Sequence, residues 1–141
     1  MKHQEKFQNL NPIDSLKSNN QVEQFVFYDP HLQDILYVLD GSIKRLTFIP
    51  VERWEDLFEI FSSHLIDRKN VDIALLAHGT SQGINIGREF VDDKYISKKN
   101  ICLKGTSVNT VSIFSCNTGQ NINLLNKFAQ LLNCDVFGSS D

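Results

Sequence analysis

Cysteine is scarce in this chain of 141 residues, and no two of its three cysteines form a CxxC pair. An odd count without that spacing argues against both a disulfide framework and a zinc module. Free thiols fit a reducing compartment or a short-lived secreted protein. The three residues, Cys102, Cys116 and Cys134, therefore have to be judged singly, by their positions in the fold.

A basic excess and long apolar runs are also lacking. The formal net charge is -3, whereas a nucleic-acid footprint needs clustered positive charge. No apolar stretch approaches the roughly 20 residues that a membrane-spanning helix requires. Residues 1–10 contain no apolar signal-peptide core. We therefore expect no nucleic-acid partner, no membrane-spanning segment and no signal peptide.

Familiar enzyme motifs are missing as well. There is no phosphate-binding loop of the Gly-x4-Gly-Lys-Ser/Thr type, and the glycines of residues 82–87 do not follow the dinucleotide fingerprint. The α/β-hydrolase elbow would need glycines two residues either side of Cys116, where Phe114 and Thr118 stand. No histidine follows His78, so the chain order of that hydrolase class is disfavoured.

The composition that remains is that of one ordinary globular domain. Apolar residues make up 41% of the chain and charged residues 22%, which suits a single buried core. Residues 1–24 are polar and aperiodic, which predicts a flexible lead-in. Residues 25–141 then form the predicted folded domain.

The folded part alternates strand-like and helix-like segments. Apolar and β-branched runs predict five strands, over residues 24–29, 43–50, 71–77, 108–114 and 134–138. Helical patterns predict a helix from Asp29-Pro30 to Gly41, a second over 51–65 with Trp54 on its apolar face, helical turns within 92–104 and a last helix from near Thr118. A small hairpin is predicted around Gly87. The alternation predicts an α/β fold, a three-layer α/β/α sandwich with a mainly parallel sheet of about five strands.

The ends of two predicted strands carry the candidate chemistry. His78 ends the third strand and Cys116 ends the fourth. Ligands bind beyond the carboxyl ends of such strands, and neighbouring strands lie about 4.8 Å apart. A thiol nucleophile beside an imidazole base is the pairing that covalent catalysis uses. Taken alone, Cys116 is better explained as core packing and His78 as a strand-end histidine, so the prediction depends on the pair.

Three further groups complete this prediction. The N–H groups of Gly79 and Cys116 are candidate oxyanion donors, and a helix beginning near Thr118, capped by Asn117 or Thr118, would favour a Cys116 thiolate. Asp29 is either the N-cap of the first helix, the preferred interpretation, or the residue that orients His78. The other thiols and histidines are interpreted as structural, tail or surface residues: Cys102, Cys134, His3, His31 and His64. No metal site and no cofactor is predicted.

Two blocks, DIALLAHGT and TVSIFSCNTG, resemble the caspase-like cysteine peptidases, a group that includes legumain, gingipain, separase and clostripain. The fuller pattern is His-Gly-(Thr/Ser)-x-x-Gly-x-x-x-Gly, a strand ending in Cys-Asn, a helix, and a strand ending in (Gly/Ala)-Ser-x-Asp. It resembles an uncharacterised bacterial domain near the N-terminus of large, secreted, repeat-rich surface proteins. The similarity covers Phe25 to Asp141.

The resemblance implies a caspase-like sandwich with particular roles for its residues. His78 would be the general base or acid, Cys116 the nucleophile and Gly79 an oxyanion donor. The segment that includes Ser139 and Asp141 would line the pocket for the substrate side chain, where Asp141 would favour Lys or Arg. Such peptidases usually continue beyond this point. The expectation is therefore either a domain truncated at its C-terminus, as a fragment of a larger protein, or a minimal version that is not a peptidase.

Two functions of different classes follow. The first is a cysteine peptidase-like domain that cleaves a peptide bond in a peptide or protein substrate. That substrate includes its own parent chain, which would be self-processing. The alternative is a catalytically silent interaction or assembly module of a larger bacterial surface protein. The resemblance implies a secreted or cell-surface location, although no signal peptide is visible. The sequence does not determine the oligomeric state.

Overall fold

The structure is a computed structural model that describes residues 22–32, 46–99, 103, 105–116 and 118–139. Its strands are β1 (Glu23–Tyr28), β2 (Leu46–Pro50), β3 (Val71–Leu76), β4 (His78–Thr80), β5 (Gly83–Ile86), β6 (Glu89–Asp92), β7 (Val108–Phe114) and β8 (Asp135–Gly138). Its helices are α1 (Leu57–Leu65), α2 (Asp93–Ser97) and α3 (Ile122–Leu132), with a 3₁₀ turn at Thr118–Gln120.

Five strands form one parallel sheet in the order β2-β1-β3-β7-β8. The strand β3 is central, as the apolar run of residues 71–77, interrupted by Asp72 alone, predicts for a strand buried on both faces. The remaining strands, β4, β5 and β6, form a small antiparallel sheet that continues directly from β3. The predicted fold class, a mixed α/β domain with a mainly parallel five-stranded sheet, is confirmed.

The sheet separates two apolar clusters. Alternate residues of β3, such as Ile73 and Leu75, pack into the larger cluster with Phe61 of α1 and Phe128 of α3. The residues between them pack into a smaller cluster on the other face, made of Val26, Leu46, Ala74 and Leu76 with Tyr28, Leu32, Phe48 and Phe114 beside it. This arrangement is consistent with a three-layer sandwich. The helix predicted between Asp29 and Gly41 lies mostly outside the described residues.

Helix α1 begins later than the sequence pattern predicts. The prediction of a helix from Val51 with Trp54 on its apolar face is wrong, because Trp54 is 74% exposed in the loop that precedes the helix. The helix starts after Asp56, whose carboxylate accepts hydrogen bonds from the N–H groups of Phe58 at 2.8 Å and Glu59 at 3.4 Å. An N-cap aspartate satisfies N–H groups that have no partner within the helix.

The tip of the β5–β6 hairpin packs onto this loop. Gly87 stands in the two-residue turn with φ +61, and a Cβ built on it would lie 2.4 Å from the carbonyl oxygen of Glu55. The N–H of Arg88 donates to the same carbonyl at 3.1 Å. Glycine is therefore required both by the left-handed backbone and by the close approach.

Replacing Gly87 with alanine should lower the free energy of unfolding by about 1 to 3 kcal/mol, because the side chain would strain the turn. Chemical denaturation followed by circular dichroism measures the change. Asn85→Ala, at an exposed position of the same hairpin, is the control and should change stability by less than about 0.5 kcal/mol. Equal stability of Gly87→Ala and wild type would contradict this account of the turn.

Asp56 also joins the hairpin and α2 to α1. Its carboxylate lies 3.3 Å from Lys99 Nζ and 3.7 Å from a guanidinium nitrogen of Arg88, and the side chain is largely buried. Burial alone would raise the pKa of Asp56, but the Phe58 N–H and Lys99 outweigh it and hold that pKa below its usual value.

Stability should therefore depend on the ionisation of Asp56. Because its pKa is lowered on folding, the contribution is present above the unfolded value of about 3.9 and is lost as pH falls through the folded value. Asp56→Asn, which can still cap the helix, should cost about 1 kcal/mol at pH 7 and progressively less below about pH 4. Glu23→Gln, which removes an ion pair between half-exposed side chains, is the control. A cost for Asp56→Asn that stays constant with pH would contradict the assignment.

Candidate functional site

His78 and Cys116 follow two neighbouring strands at equal steps. The last paired residues of β3 and β7 are Leu76 and Phe114, and the N–H of Ala77 extends this ladder by donating to the Phe114 carbonyl at 3.3 Å. His78 and Cys116 each stand two residues beyond the matched pair. Both are exposed at the carboxyl edge of the sheet.

The direction of the Cys116 side chain depends on the turn that follows β7. Leu76 and Phe114 belong to the smaller apolar cluster, but β7 ends at Phe114 and Cys116 lies in the turn closed between Ser115 and Thr118. That His78 and Cys116 face the same side of the sheet edge therefore stays a prediction. An exposed Cys116 is also informative in itself, since free cysteine is among the most buried residue types.

Gly79 lies against the end of β7. A Cβ built on it would lie 2.5 Å from Ser115 Oγ and 2.9 Å from Ser115 Cβ. Any side chain at position 79 would therefore force Ser115 to move. Ala77 directs its N–H towards β7. Continued alternation from Ala77 into β4 would give the N–H of Gly79 the same direction.

The β4–β5 pairing supports that direction. The two-residue turn makes Thr80 and Gly83 the closing pair of the hairpin. Such a pair exchanges hydrogen bonds, so the next pair, Gly79 and Ile84, does not. The hairpin pairing therefore predicts that the N–H of Gly79 points away from β5.

Asp29 stands at the same edge, on the side of β3 opposite β7. Its N–H donates to the Leu76 carbonyl at 2.9 Å, and its carboxylate accepts from the N–H of His31 at 2.9 Å. The N–H of Leu32 donates to the Asp29 carbonyl at 3.2 Å, which closes a turn. The carboxylate thus has a backbone partner in its own turn, and the orientation of His78 by Asp29 stays a prediction.

The segment after Cys116 differs from the prediction of a helix near Thr118. Residues 118–120 form a 3₁₀ turn, and α3 begins only at Ile122, capped by Asn121, whose side chain accepts from the Leu124 N–H at 3.0 Å. Thr118 therefore does not cap that helix, and Asn117 lies outside the described residues. Cys116 is therefore not immediately before the N-terminus of α3, and the predicted effect of the helix dipole on its thiolate loses its geometric basis.

Asn121 is a residue of the site that the sequence reasoning missed. Its Nδ2 donates to the Gln82 carbonyl at 3.2 Å and to Asp93 Oδ1 at 3.4 Å, which joins the β4–β5 turn and α2 to the start of α3. An open groove of about 540 Å³ adjoins these residues, lined by Ser81, Gln82, Asp92, Asp93, Lys94, Gln120 and Asn121. The available signal was an asparagine directly before an apolar run of helical period, a common N-cap pattern.

The segment predicted to line a substrate pocket also reaches this edge. The N–H of Ser139 donates to the Ile113 carbonyl at 3.0 Å, and the carbonyl of Ser139 accepts from the N–H of Gly119. Ser139 thus lies beside the turn that follows Cys116. Asp141 lies outside the described residues.

The other described thiol differs sharply from Cys116. Cys134 is only partly exposed, and burial, with smaller contributions from the negative charges of Asp135 and Asp72, raises its pKa to about 12. It is therefore protonated at neutral pH, which agrees with its interpretation as structural. Cys102 and His3 lie outside the described residues, whereas His31 and His64 are exposed, as predicted.

Two further findings concern metal sites and membrane-spanning helices in the described part of the chain. There, no group of three or more His, Cys, Asp and Glu side chains is arranged to hold a metal ion. Within the same residues, no helix has the length and apolar character needed to cross a membrane.

These features define a parallel α/β domain with an exposed histidine and an exposed cysteine at the carboxyl ends of adjacent strands. The chain belongs to the family described as a domain of unknown function, DUF4347, whose model matches residues 25–141. No curated protein and no solved structure matches it. The expectation of an uncharacterised domain is thus confirmed, while the caspase-like resemblance stays a prediction.

Substituting Gly79 with alanine should test the contact between the two strand ends. The added Cβ would displace Ser115, which should cost about 1 to 3 kcal/mol of stability and lower the reaction rate of Cys116 on the order of tenfold or more. Denaturation curves measure the first effect, and the rate at which a peptidyl acyloxymethyl ketone labels Cys116, followed by mass spectrometry, measures the second.

Gly83→Ala is the matched control, because its Cβ would lie 2.5 Å from the Val91 carbonyl oxygen, away from β7. It should lower stability to a similar degree and leave the reactivity of Cys116 nearly unchanged. Equal losses of reactivity in the two variants would show that the Gly79–Ser115 contact has no special role.

Proposed function

We propose that this domain is a cysteine hydrolase of peptide bonds, in which Cys116 is the nucleophile and His78 transfers the proton. The observation that carries the proposal is the matched register of β3 and β7, which brings an exposed His78 and an exposed Cys116 to neighbouring positions of one sheet edge. Core packing, the plainer explanation of a lone cysteine, does not account for an exposed thiol there.

The backbone around the pair supports the same chemistry. A Gly79 N–H on the β7 side, as the strand pattern predicts, would be available to a substrate, and the close contact between Gly79 and Ser115 holds the two strand ends together. The N–H groups of Gly79 and Cys116 would then converge on a substrate oxygen. Preorganised N–H donors of this kind stabilise the negative charge that develops on a carbonyl oxygen under attack.

The proposed reaction proceeds in two steps. Cys116 Sγ gives its proton to His78 and attacks the carbonyl carbon, and the oxyanion accepts hydrogen bonds from Gly79 and Cys116. The C–N bond then breaks as His78 donates the proton to the leaving amine, leaving a thioester. Water, deprotonated by His78, attacks the thioester, which releases the carboxylic acid and returns the proton to the Cys116 thiolate.

The resemblance to caspase-like peptidases supports this proposal at the level of the His-Gly and Cys blocks alone. It suggests a protein substrate, the parent chain of the domain included, and a pocket formed by Ser139 and Asp141. The described contacts of Ser139 at the same edge agree with that pocket.

The silent assembly module is the second candidate. The observation in its favour is that the carboxylate of Asp29 hydrogen-bonds to its own turn, so no described contact gives His78 the orienting partner of a complete triad. A dyad can act without that partner, and reactivity therefore decides between the two candidates.

The experiment compares the reaction of wild type and His78→Ala with dipeptidyl acyloxymethyl ketones that end in arginine, aspartate or alanine. Cys116→Ala gives the background from the other two thiols. Wild type should be labelled at Cys116, and His78→Ala should react more slowly by on the order of a hundredfold. His64→Ala, which removes an exposed histidine from α1, is the matched control and should react like wild type.

Labelling of Cys116 that is independent of His78, or no faster than the Cys116→Ala background, would refute the hydrolase and favour the assembly module. Preference for the arginine probe, lost in Asp141→Ala, would support the predicted pocket. Equal reaction of all three probes would remove Asp141 from the proposal while leaving the dyad intact.

A further inference from the structure

Two buried hydroxyl groups flank Cys116 in the chain, one directly before it and one two residues after it. Ser115 Oγ and Thr118 Oγ1 are in hydrogen-bond contact, with Ser115 7% exposed and Thr118 fully buried. Buried hydroxyl groups of this kind keep a hydrogen-bond partner within the protein because they have no access to water. Their mutual contact therefore fixes the side-chain conformations of both residues.

The pair closes the turn that carries Cys116. The N–H of Thr118 donates to the Ser115 carbonyl at 3.4 Å, so a backbone bond and a side-chain bond span the same four residues. The carbonyl of Thr118 accepts from the N–H of Asn121 at 3.0 Å, which continues the turn into the cap of α3. The turn that contains Cys116 is thus closed by two hydrogen bonds between Ser115 and Thr118, one from the backbone and one from the side chains.

Ser115 also contacts the other half of the proposed oxyanion hole. Its Oγ would lie 2.5 Å from a Cβ at Gly79, so the hydroxyl group is packed against the Gly79 backbone. The same side chain therefore precedes Cys116 in the chain, touches Gly79 in space and bonds to Thr118. A change in its conformation would alter the separation of the two N–H donors.

From these contacts we infer that Ser115 and Thr118 are positioning residues, whose paired hydroxyl groups hold the Cys116 turn and the Gly79 backbone in the arrangement needed for reaction. This inference rests on the proposed function. It predicts an effect on the chemical step per folded molecule, whereas a purely structural pair would affect only the folded fraction.

The test compares Thr118→Val, which keeps the shape and removes the hydroxyl group, with Thr118→Ser, which keeps the hydroxyl group. Ser115→Ala is the second variant and decides the question if Thr118→Val does not fold. Ser112→Ala is the control, since Ser112 is a buried serine of β7 that stands in register with Ala74, away from the Cys116 turn.

Two rates are measured for the full chain and corrected for the folded fraction. With the acyloxymethyl ketones, Thr118→Val and Ser115→Ala should react on the order of tenfold to a hundredfold more slowly than wild type. Thr118→Ser and Ser112→Ala should stay close to wild type. With iodoacetamide, which needs an accessible thiolate but no oxyanion hole, all variants should react nearly alike.

The outcomes separate this inference from the proposed function. If wild type reacts in a His78-dependent manner while Thr118→Val and Ser115→Ala match it, the positioning role is overturned and the hydrolase stands. If Thr118→Ser loses as much reactivity as Thr118→Val, packing and not the hydroxyl group is responsible, and the inference is also overturned. If wild type shows no dependence on His78, both proposals fail.

Discussion

The pairing of β3 with β7 is the constraint on which the rest of the site depends. The two strands run parallel in matched register to Leu76 and Phe114, and the Ala77 N–H extends the ladder one step further. A shift of β3 by one residue would turn its buried side chains to the opposite faces of the sheet and move His78 out of step with Cys116, because side chains alternate along a strand. The large core on one face and the smaller cluster on the other both oppose such a shift.

The antiparallel sheet of β4, β5 and β6 is the second element that fixes the carboxyl edge of the parallel sheet. It continues from β3, packs its tip on the loop before α1 through Gly87, and is held at its other end by Asn121 of the α3 cap. The hairpin is thus fixed at both ends while Gly79, in its first strand, lies against Ser115. A backbone fixed in this way is suited to presenting an N–H group without reorganisation during a reaction.

Much of this architecture could be predicted from the sequence because the signals were local. Apolar runs gave the five strands of the parallel sheet, and their alternation with helices gave its parallel character. The start of α1 could not be predicted from apolar spacing, since Trp54 fits the helical period but the Asp56 cap decides the boundary. The sequence pattern suggested Asn117 or Thr118 as the cap of the last helix, whereas the helix begins after Asn121, because a 3₁₀ turn separates it from β7.

The site was predictable to the extent that it depends on strand ends. The positions of His78 and Cys116 followed from the two apolar runs and the rule that ligands bind beyond carboxyl ends. The contact of Gly79 with Ser115 and the Ser115–Thr118 pair join residues through three-dimensional packing, for which no local pattern exists. The partner of the Asp29 carboxylate likewise became visible only from the folded turn.

The most direct test of the central claim is a crystal structure of the domain with Cys116 bound to a peptidyl aldehyde, which forms a tetrahedral hemithioacetal. The hemithioacetal oxygen is expected to lie about 2.7 to 3.1 Å from the backbone nitrogens of Gly79 and Cys116, with the imidazole of His78 on the adjacent side of the adduct. An adduct whose oxygen contacts neither nitrogen, or whose sulfur lies on the opposite side of the sheet edge from His78, would contradict that claim.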